Sequence, residues 1–123
     1  MRESQYTAAV HKKLPPEVYH WKISDRFRGG VADAWYSAAS DLWVEYKYED
    51  RPFGKRYTPD ISNLQQEWLA DRTTEGRNVA LIMGSKTGAF IVTKQRIWRK
   101  QYTVPNTLFS KQDVANWILK QVT

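Results

Sequence analysis

The sequence predicts an α/β domain with a central mixed sheet of about five strands flanked by helices. Three observations predict it. Apolar residues recur at helical spacing in three stretches, near the start, in the middle and at the end of the chain. Five short segments between them are rich in β-branched and aromatic residues, grouped as three and then two. The resulting order of helix, three strands, helix, two strands and helix suits a sheet covered by helices. The 123 residues, 41% of them hydrophobic, suffice for one domain over 1–123 with a single modest core.

Residues 2–14 read as the first helix, because Tyr6, Ala9, Val10 and Leu14 recur at its spacing and Pro15-Pro16 ends it. Residues 17–23, Glu-Val-Tyr-His-Trp-Lys-Ile, read as a strand. A polar, basic turn follows, closing on Gly29-Gly30, which permits unusual backbone angles and close approach of another segment. Residues 31–36 are expected to form the second strand and 42–48 the third. In the third, alternation places Leu42, Val44, Tyr46 and Tyr48 on one face. Trp43, Glu45, Lys47 and Glu49 fall on the other.

Residues 49–60 read as a charged loop. The second helix is expected over 61–73, capped by Asp60 or Ser62, with Leu64, Trp68 and Leu69 as its apolar stripe. Residues 78–83, Asn-Val-Ala-Leu-Ile-Met, are apolar enough for a strand buried on both faces. Residues 84–88 form a turn and 89–93 the fifth strand. The stretch 94–108 is basic and irregular. A closing helix over 110–122 starts at a Ser110 cap and turns Val114, Trp117, Ile118 and Val122 inward. Trp21, Trp68 and Trp117 fit core positions.

Lys plus Arg number 19 and Asp plus Glu 13, a net charge of +6, and the pI is near 9.6. That balance points to a polyanionic partner, of which nucleic acid is the commonest. The chain has no cysteine, which excludes disulfides and thiolate zinc sites. His11 and His20 are its only histidines, too few for a multi-histidine metal site. Any metal must be held mainly by oxygen, which suits Mg²⁺, Mn²⁺ or Ca²⁺. No apolar run approaches the roughly 20 residues that span a bilayer, so no membrane role is expected. Met1-Arg2-Glu3-Ser4 lacks an apolar signal core, and a cytoplasmic protein is expected.

Chemistry concentrates in two short segments, Gly30-Val31-Ala32-Asp33 and Trp43-Val44-Glu45-Tyr46-Lys47. Residues i and i+2 of a strand share a face, so Glu45 and Lys47 point together. If residues 31–36 pair with that strand, Asp33 comes close to Glu45. Two carboxylates so placed repel each other and call for a cation. A Mg²⁺ held by carboxylates, waters and a substrate phosphate fits this stock of ligands. Lys47 could orient an attacking water or offset developing charge. Glu-x-Lys alone is more often an ordinary solvated strand face. Asp33, the preceding glycines and the following helix, Leu64-Gln65-Gln66-Glu67-Trp68-Leu69, change that reading.

With that helix included, the chain resembles the PD-(D/E)XK nuclease superfamily, and within it the small VRR-NUC and Holliday-junction-resolvase-like branch. The matching pieces are Glu3, Gly30-Val31-Ala32-Asp33, Glu45-Tyr46-Lys47 and Leu64-Gln65-Gln66-Glu67-Trp68-Leu69, followed by Gly76 and the apolar strand. Ala32 stands where that superfamily usually has proline, which supplies stiffness rather than a ligand. The resemblance implies a restriction-endonuclease-like core and a DNA endonuclease dependent on Mg²⁺ or Mn²⁺. It implies Asp33, Glu45 and the Tyr46 main-chain carbonyl as metal ligands, with Lys47 as the catalytic lysine. Gln65, rather than Gln66, would be the helix glutamine that reaches the site. Glu3 would be an auxiliary acid for metal, although an acid in a first helical turn also suits the helix dipole. Branched DNA such as four-way junctions is the implied substrate, and a homodimer the implied assembly. Small nucleases encoded by bacteriophages look similar. A non-catalytic DNA-binding module and a nuclease for linear ends or RNA are the alternatives.

Further cations are candidate DNA contacts. Lys22, Arg26 and Arg28 flank the approach to Asp33, and Arg51, Lys55 and Arg56 lie in the loop after Lys47. Phe53 and Tyr57 in that loop could stack on an unpaired base. Lys94 to Lys100 forms a second basic and aromatic cluster. His20 reads as a packed or hydrogen-bonded histidine.

Overall fold

The computed structural model describes residues 1–23, 30–93 and 100–123. Helix α1 covers Glu3–His11, followed by strands β1 (Tyr19–Lys22), β2 (Ala34–Ser37) and β3 (Asp41–Glu49). A short β4 (Arg56–Tyr57) precedes α2 (Asn63–Thr74). Then come β5 (Val79–Ser85), β6 (Gly88–Thr93), β7 (Tyr102–Thr103) and α3 (Lys111–Val122).

The main sheet has five strands in the order β1-β2-β3-β5-β6. Among the described strands of this sheet, only β3 and β5 run parallel. A parallel pair needs a crossover, and α2 is part of that crossover. On one face, Tyr6 and Val10 of α1 and Val114, Ile118 and Val122 of α3 pack with Tyr36, Leu42, Val44, Tyr46, Ala80 and Ile82. On the other, Leu69 of α2 packs with Val79, Leu81, Met83, Phe90 and Val92, and Tyr102 joins them. Strand β5 is buried along its length and feeds both clusters, which is why its sequence is apolar without alternation.

Five details depart from the sequence expectation, the first being that Leu64, expected on the apolar stripe of α2, is 58% exposed. The second strand begins at Ala34 rather than residue 31, so Asp33 immediately precedes it. Trp21 is not a core residue: β1 is an edge strand exposed throughout, and the Trp21 side chain is 53% exposed. The loop after β3 is anchored, because β4 pairs with β7. Phe53 and Tyr57 turn inward, with ring centroids 5.2 and 6.5 Å from Phe90, and so support the second core. Among the described residues, no helix is long and apolar enough to cross a membrane.

Candidate active site

Strand β3 presents two chemically distinct faces. Leu42, Val44 and Tyr46 are buried against α1 and α3. Glu45 and Lys47 point to the α2 side, where Glu45 is 1% exposed and Lys47 14%. Lys47 Nζ lies 3.4 Å from Glu45 Oε2.

The β2–β3 ladder runs from Ser37 opposite Asp41 to Ala34 opposite Val44. Two residues further along β3, the Tyr46 N–H faces the same flank but lies past the start of β2. Asp33 Oδ2 accepts that N–H at 2.9 Å. A side-chain carboxylate thus replaces a main-chain partner that the short strand cannot supply. The Asp33 backbone is held from the other side, since the Ile23 N–H donates to the Asp33 carbonyl at 2.7 Å.

Helix α2 delivers Gln65 through its own cap. Ser62 Oγ accepts the Gln65 N–H at 3.1 Å. Gln65 Oε1 in return accepts the Ser62 N–H at 3.1 Å, completing a capping box. The same Oε1 faces Lys47 Nζ at 3.4 Å. Gln65 Nε2 donates to Glu45 Oε2 at 2.8 Å. Two donors on one side and a carboxylate on the other dictate which way this amide points. Gln66, the competing glutamine, instead lines a cavity with Thr58, Asp60 and Asn63.

Gly30 fixes the distance between the Asp33 segment and α2. Its φ is +76°, and a Cβ there would lie 2.6 Å from the Leu64 carbonyl oxygen and 3.1 Å from the Gln65 nitrogen. Only glycine allows the two backbones to approach so closely in this conformation. Asp33 and Gln65 are thereby carried by segments in direct contact.

The site is electrostatically unbalanced. Burial, then the charge of Asp33, pushes the Glu45 carboxyl up to about 8, with Lys47 partly offsetting the rise. Burial and Asp33 likewise raise Glu3 to about 7, against the opposing pull of Lys47 and Lys22. Three acids therefore sit in one field with a single buried lysine. Glu45 Oε1 is buried and has no hydrogen-bond partner.

Among the described residues, no three histidine, aspartate or glutamate side chains form a group that could hold a metal by themselves. The fit to a hard cation rests on fewer side chains: a buried carboxylate oxygen without a partner, beside a second carboxylate and close to main chain. An orphaned carboxylate oxygen is costly unless a proton or a cation satisfies it.

Of the candidate DNA contacts, Lys22, Lys55 and Arg56 are exposed. Arg51 is also exposed and pairs with Glu49 at 2.9 Å. Arg26, Arg28 and the basic stretch 94–99 lie outside the described residues. His11 and His20 stack with ring centroids 4.5 Å apart, in keeping with a packed role for His20. Sequence reasoning named Ser62 and Gln65 separately but missed that the cap and the site share one amide. The Ser-x-x-Gln signature contained that link.

No protein-family profile and no curated protein sequence matches this chain. Among solved structures, the chain is similar to a Holliday junction resolvase of Archaeoglobus fulgidus, with a TM-score of 0.56 and 12% identity. The match covers 94% of this chain and 97% of the resolvase. At that identity the likeness concerns the fold alone, which is restriction-endonuclease-like.

Proposed function

We propose that this chain is a Mg²⁺- or Mn²⁺-dependent DNA endonuclease that hydrolyses phosphodiester bonds and favours branched DNA such as four-way junctions. The observation that carries the proposal is the buried Glu45: one oxygen is held by Gln65 and the other has no partner, beside Asp33 and Lys47. The fold shared with a Holliday junction resolvase supports the substrate class.

Asp33, Glu45 and the Tyr46 main-chain carbonyl would hold the cation, with Glu3 binding directly or through water. In an extended strand the N–H and C=O of one residue leave on the same flank, so the Tyr46 carbonyl faces the side from which Asp33 approaches. When bound, the cation acidifies water and neutralises charge on the phosphate. Gln65 keeps Glu45 Oε2 occupied and so leaves Oε1 for the cation. Lys47, held between Glu45 and Gln65, positions a water or offsets charge developing on the phosphate. Lys22, Lys55 and Arg56 would grip backbone phosphates, as would Arg26 and Arg28, which precede Gly30 in the sequence. A two-fold homodimer would provide paired sites for cutting two strands.

The test is a cleavage panel of four-way junction, flap, linear duplex and single strand, each with Mg²⁺ and with Mn²⁺. Metal-dependent cutting that favours the branched substrates and disappears in Asp33→Asn is the expected result. Activity that survives both Asp33→Asn and Lys47→Ala overturns the site. Tight, salt-sensitive DNA binding without cleavage would instead identify a binding module.

A further inference from the structure

The α2 side of the sheet carries an aromatic array beside the carboxylates. Trp21, Trp35 and Trp43 face one another across β1, β2 and β3. Trp35 and Trp43 have ring centroids 6.1 Å apart, and Trp43 meets Trp68 of α2 edge-on at 5.5 Å. The Arg72 guanidinium lies over the Trp68 ring at 5.4 Å. Helix α2 covers β5 but leaves the β1 end of this face open, where Trp21 is exposed. A cavity of about 570 Å³ opens among Trp21, Trp43 and Trp68, with Val31, Arg72 and Arg77 at its margin. That volume suits a small planar ligand.

Its position relative to the candidate active site is fixed by the chain. Trp43 precedes Glu45 by two residues on the same strand face, a separation of about 6.7 Å along β3. Val31 precedes Asp33 by two. The cavity therefore opens next to the carboxylates, at a reach suited to the neighbouring nucleotide of a bound strand.

The chemistry of the lining selects among occupants. Arg72 and Arg77 both contact the single carboxylate of Glu75, so the margin keeps a net positive charge. Arg72 Nε is buried and has no acceptor. A purely apolar partner would leave that donor and the excess charge unanswered. A nucleobase offers π faces to the tryptophans and ring acceptors to the arginine, and its phosphate answers the charge.

We propose that this cavity takes one unpaired nucleobase of the strand whose phosphodiester lies at Glu45 and Lys47. The proposal rests on the nuclease reading and narrows it: the preferred substrates carry an unpaired nucleotide next to the cut.

Trp21→Ala tests it, because the residue lies on an exposed edge strand and outside both buried clusters. Binding of a short oligothymidylate, followed by tryptophan fluorescence in EDTA, should weaken about tenfold. Trp21→Phe should restore most of it. With Mg²⁺, kcat/KM of Trp21→Ala should fall about tenfold on a junction bearing an unpaired nucleotide at the branch and stay unchanged on a fully paired one. If both substrates are cut and the variant binds and cuts like the parent, the base site is wrong while the nuclease reading stands. If no substrate is cut by either protein, the nuclease reading falls, and loss of oligothymidylate binding still supports the base site. A drop in sedimentation mass for Trp21→Ala would make the face an interface between copies and overturn the proposal.

Discussion

The two faces of the central sheet differ in what covers them, and the candidate chemistry lies on the face covered less completely. On the α1/α3 side, aromatic and aliphatic side chains from two helices close over the strands. Some of its polar groups are answered there: Tyr36 Oη meets Tyr46 Oη at 2.6 Å and His11 Nε2 at 2.7 Å, whereas Tyr6 Oη is buried without a partner. On the α2 side one helix and a two-stranded ribbon cover part of the sheet. Glu45 and Lys47 sit there, with the aromatic cavity beside them. The lesson is that β3 serves both purposes by alternation alone. Val44 and Tyr46 anchor the strand in a dry core, so Glu45 between them and Lys47 next to Tyr46 project from a fixed backbone.

The contrast predicts opposite outcomes for substitutions on the two faces. The largest effect is expected for Asp33→Asn and Lys47→Ala, which should lower the cleavage rate at least about a hundredfold. Their thermal unfolding should stay near that of the parent, since neither contributes to an apolar cluster. Ile118→Ala, on the opposite face, should behave in reverse. It should cost about 2–5 kcal/mol in urea unfolding, and the folded fraction should still bind Mn²⁺ with parental affinity in calorimetry.

Gly30→Ala sharpens the comparison, because it acts on the site through backbone. Left-handed strain alone should cost about 1–2 kcal/mol. The new Cβ would also push against the Leu64 carbonyl and shift Gln65 away from Glu45. Cleavage should fall together with stability, and a melting curve beside a single-turnover assay would show both.

Proton and cation compete for the same acids. Glu45 near 8 and Glu3 near 7 keep their protons in the folded chain after an unfolded chain has released them. The native state then binds more protons between about pH 4.5 and 8, so without divalent cation stability falls as pH rises through that range. Cation binding displaces those protons. Mn²⁺ affinity should therefore climb with pH, by up to about tenfold per unit for each proton displaced, and level off above about pH 8. Calorimetry across that range checks it, and Glu45→Gln should flatten the profile.

The smallest effect compares two caps of the same design. Ser110 accepts the Asp113 N–H at 3.0 Å, as Ser62 accepts that of Gln65. Ser62→Ala and Ser110→Ala should each cost about 1 kcal/mol. Only the first should also slow cleavage, because only its partner amide touches the site.

Much of this arrangement was legible in short-range pattern. The alternation of β3, the unbroken apolar run of β5, the Ser110 cap and the inward stripe of α3 depend on neighbours a few residues apart, and periodicity records them directly. Pairing Asp33 with Glu45 and choosing Gln65 over Gln66 required the motif spacing as well. The start of β2 was harder. Val31 and Ala32 look extended, but strand assignment depends on where a partner strand stops, and here Asp33 spends its carboxylate on the Tyr46 N–H. Trp21 has the composition of a core residue, yet burial belongs to the layer above it, and among the described residues no helix covers that edge, where Trp21 is 53% exposed. Phe53 and Tyr57 looked free to meet a base until β4 paired with β7 and folded them onto Phe90.

The sequence by itself determined the order of the main elements and the two faces of β3, because these follow from local spacing, and its resemblance to a nuclease superfamily singled out the candidate acids, lysine and glutamine. The tertiary structure alone decided that Glu45 is buried with one oxygen unanswered, that a backbone contact at Gly30 brings α2 to Asp33, and that tryptophans from two strands and a helix line a cavity. Those features arise where segments far apart in the chain meet, and no local pattern encodes the distance between them.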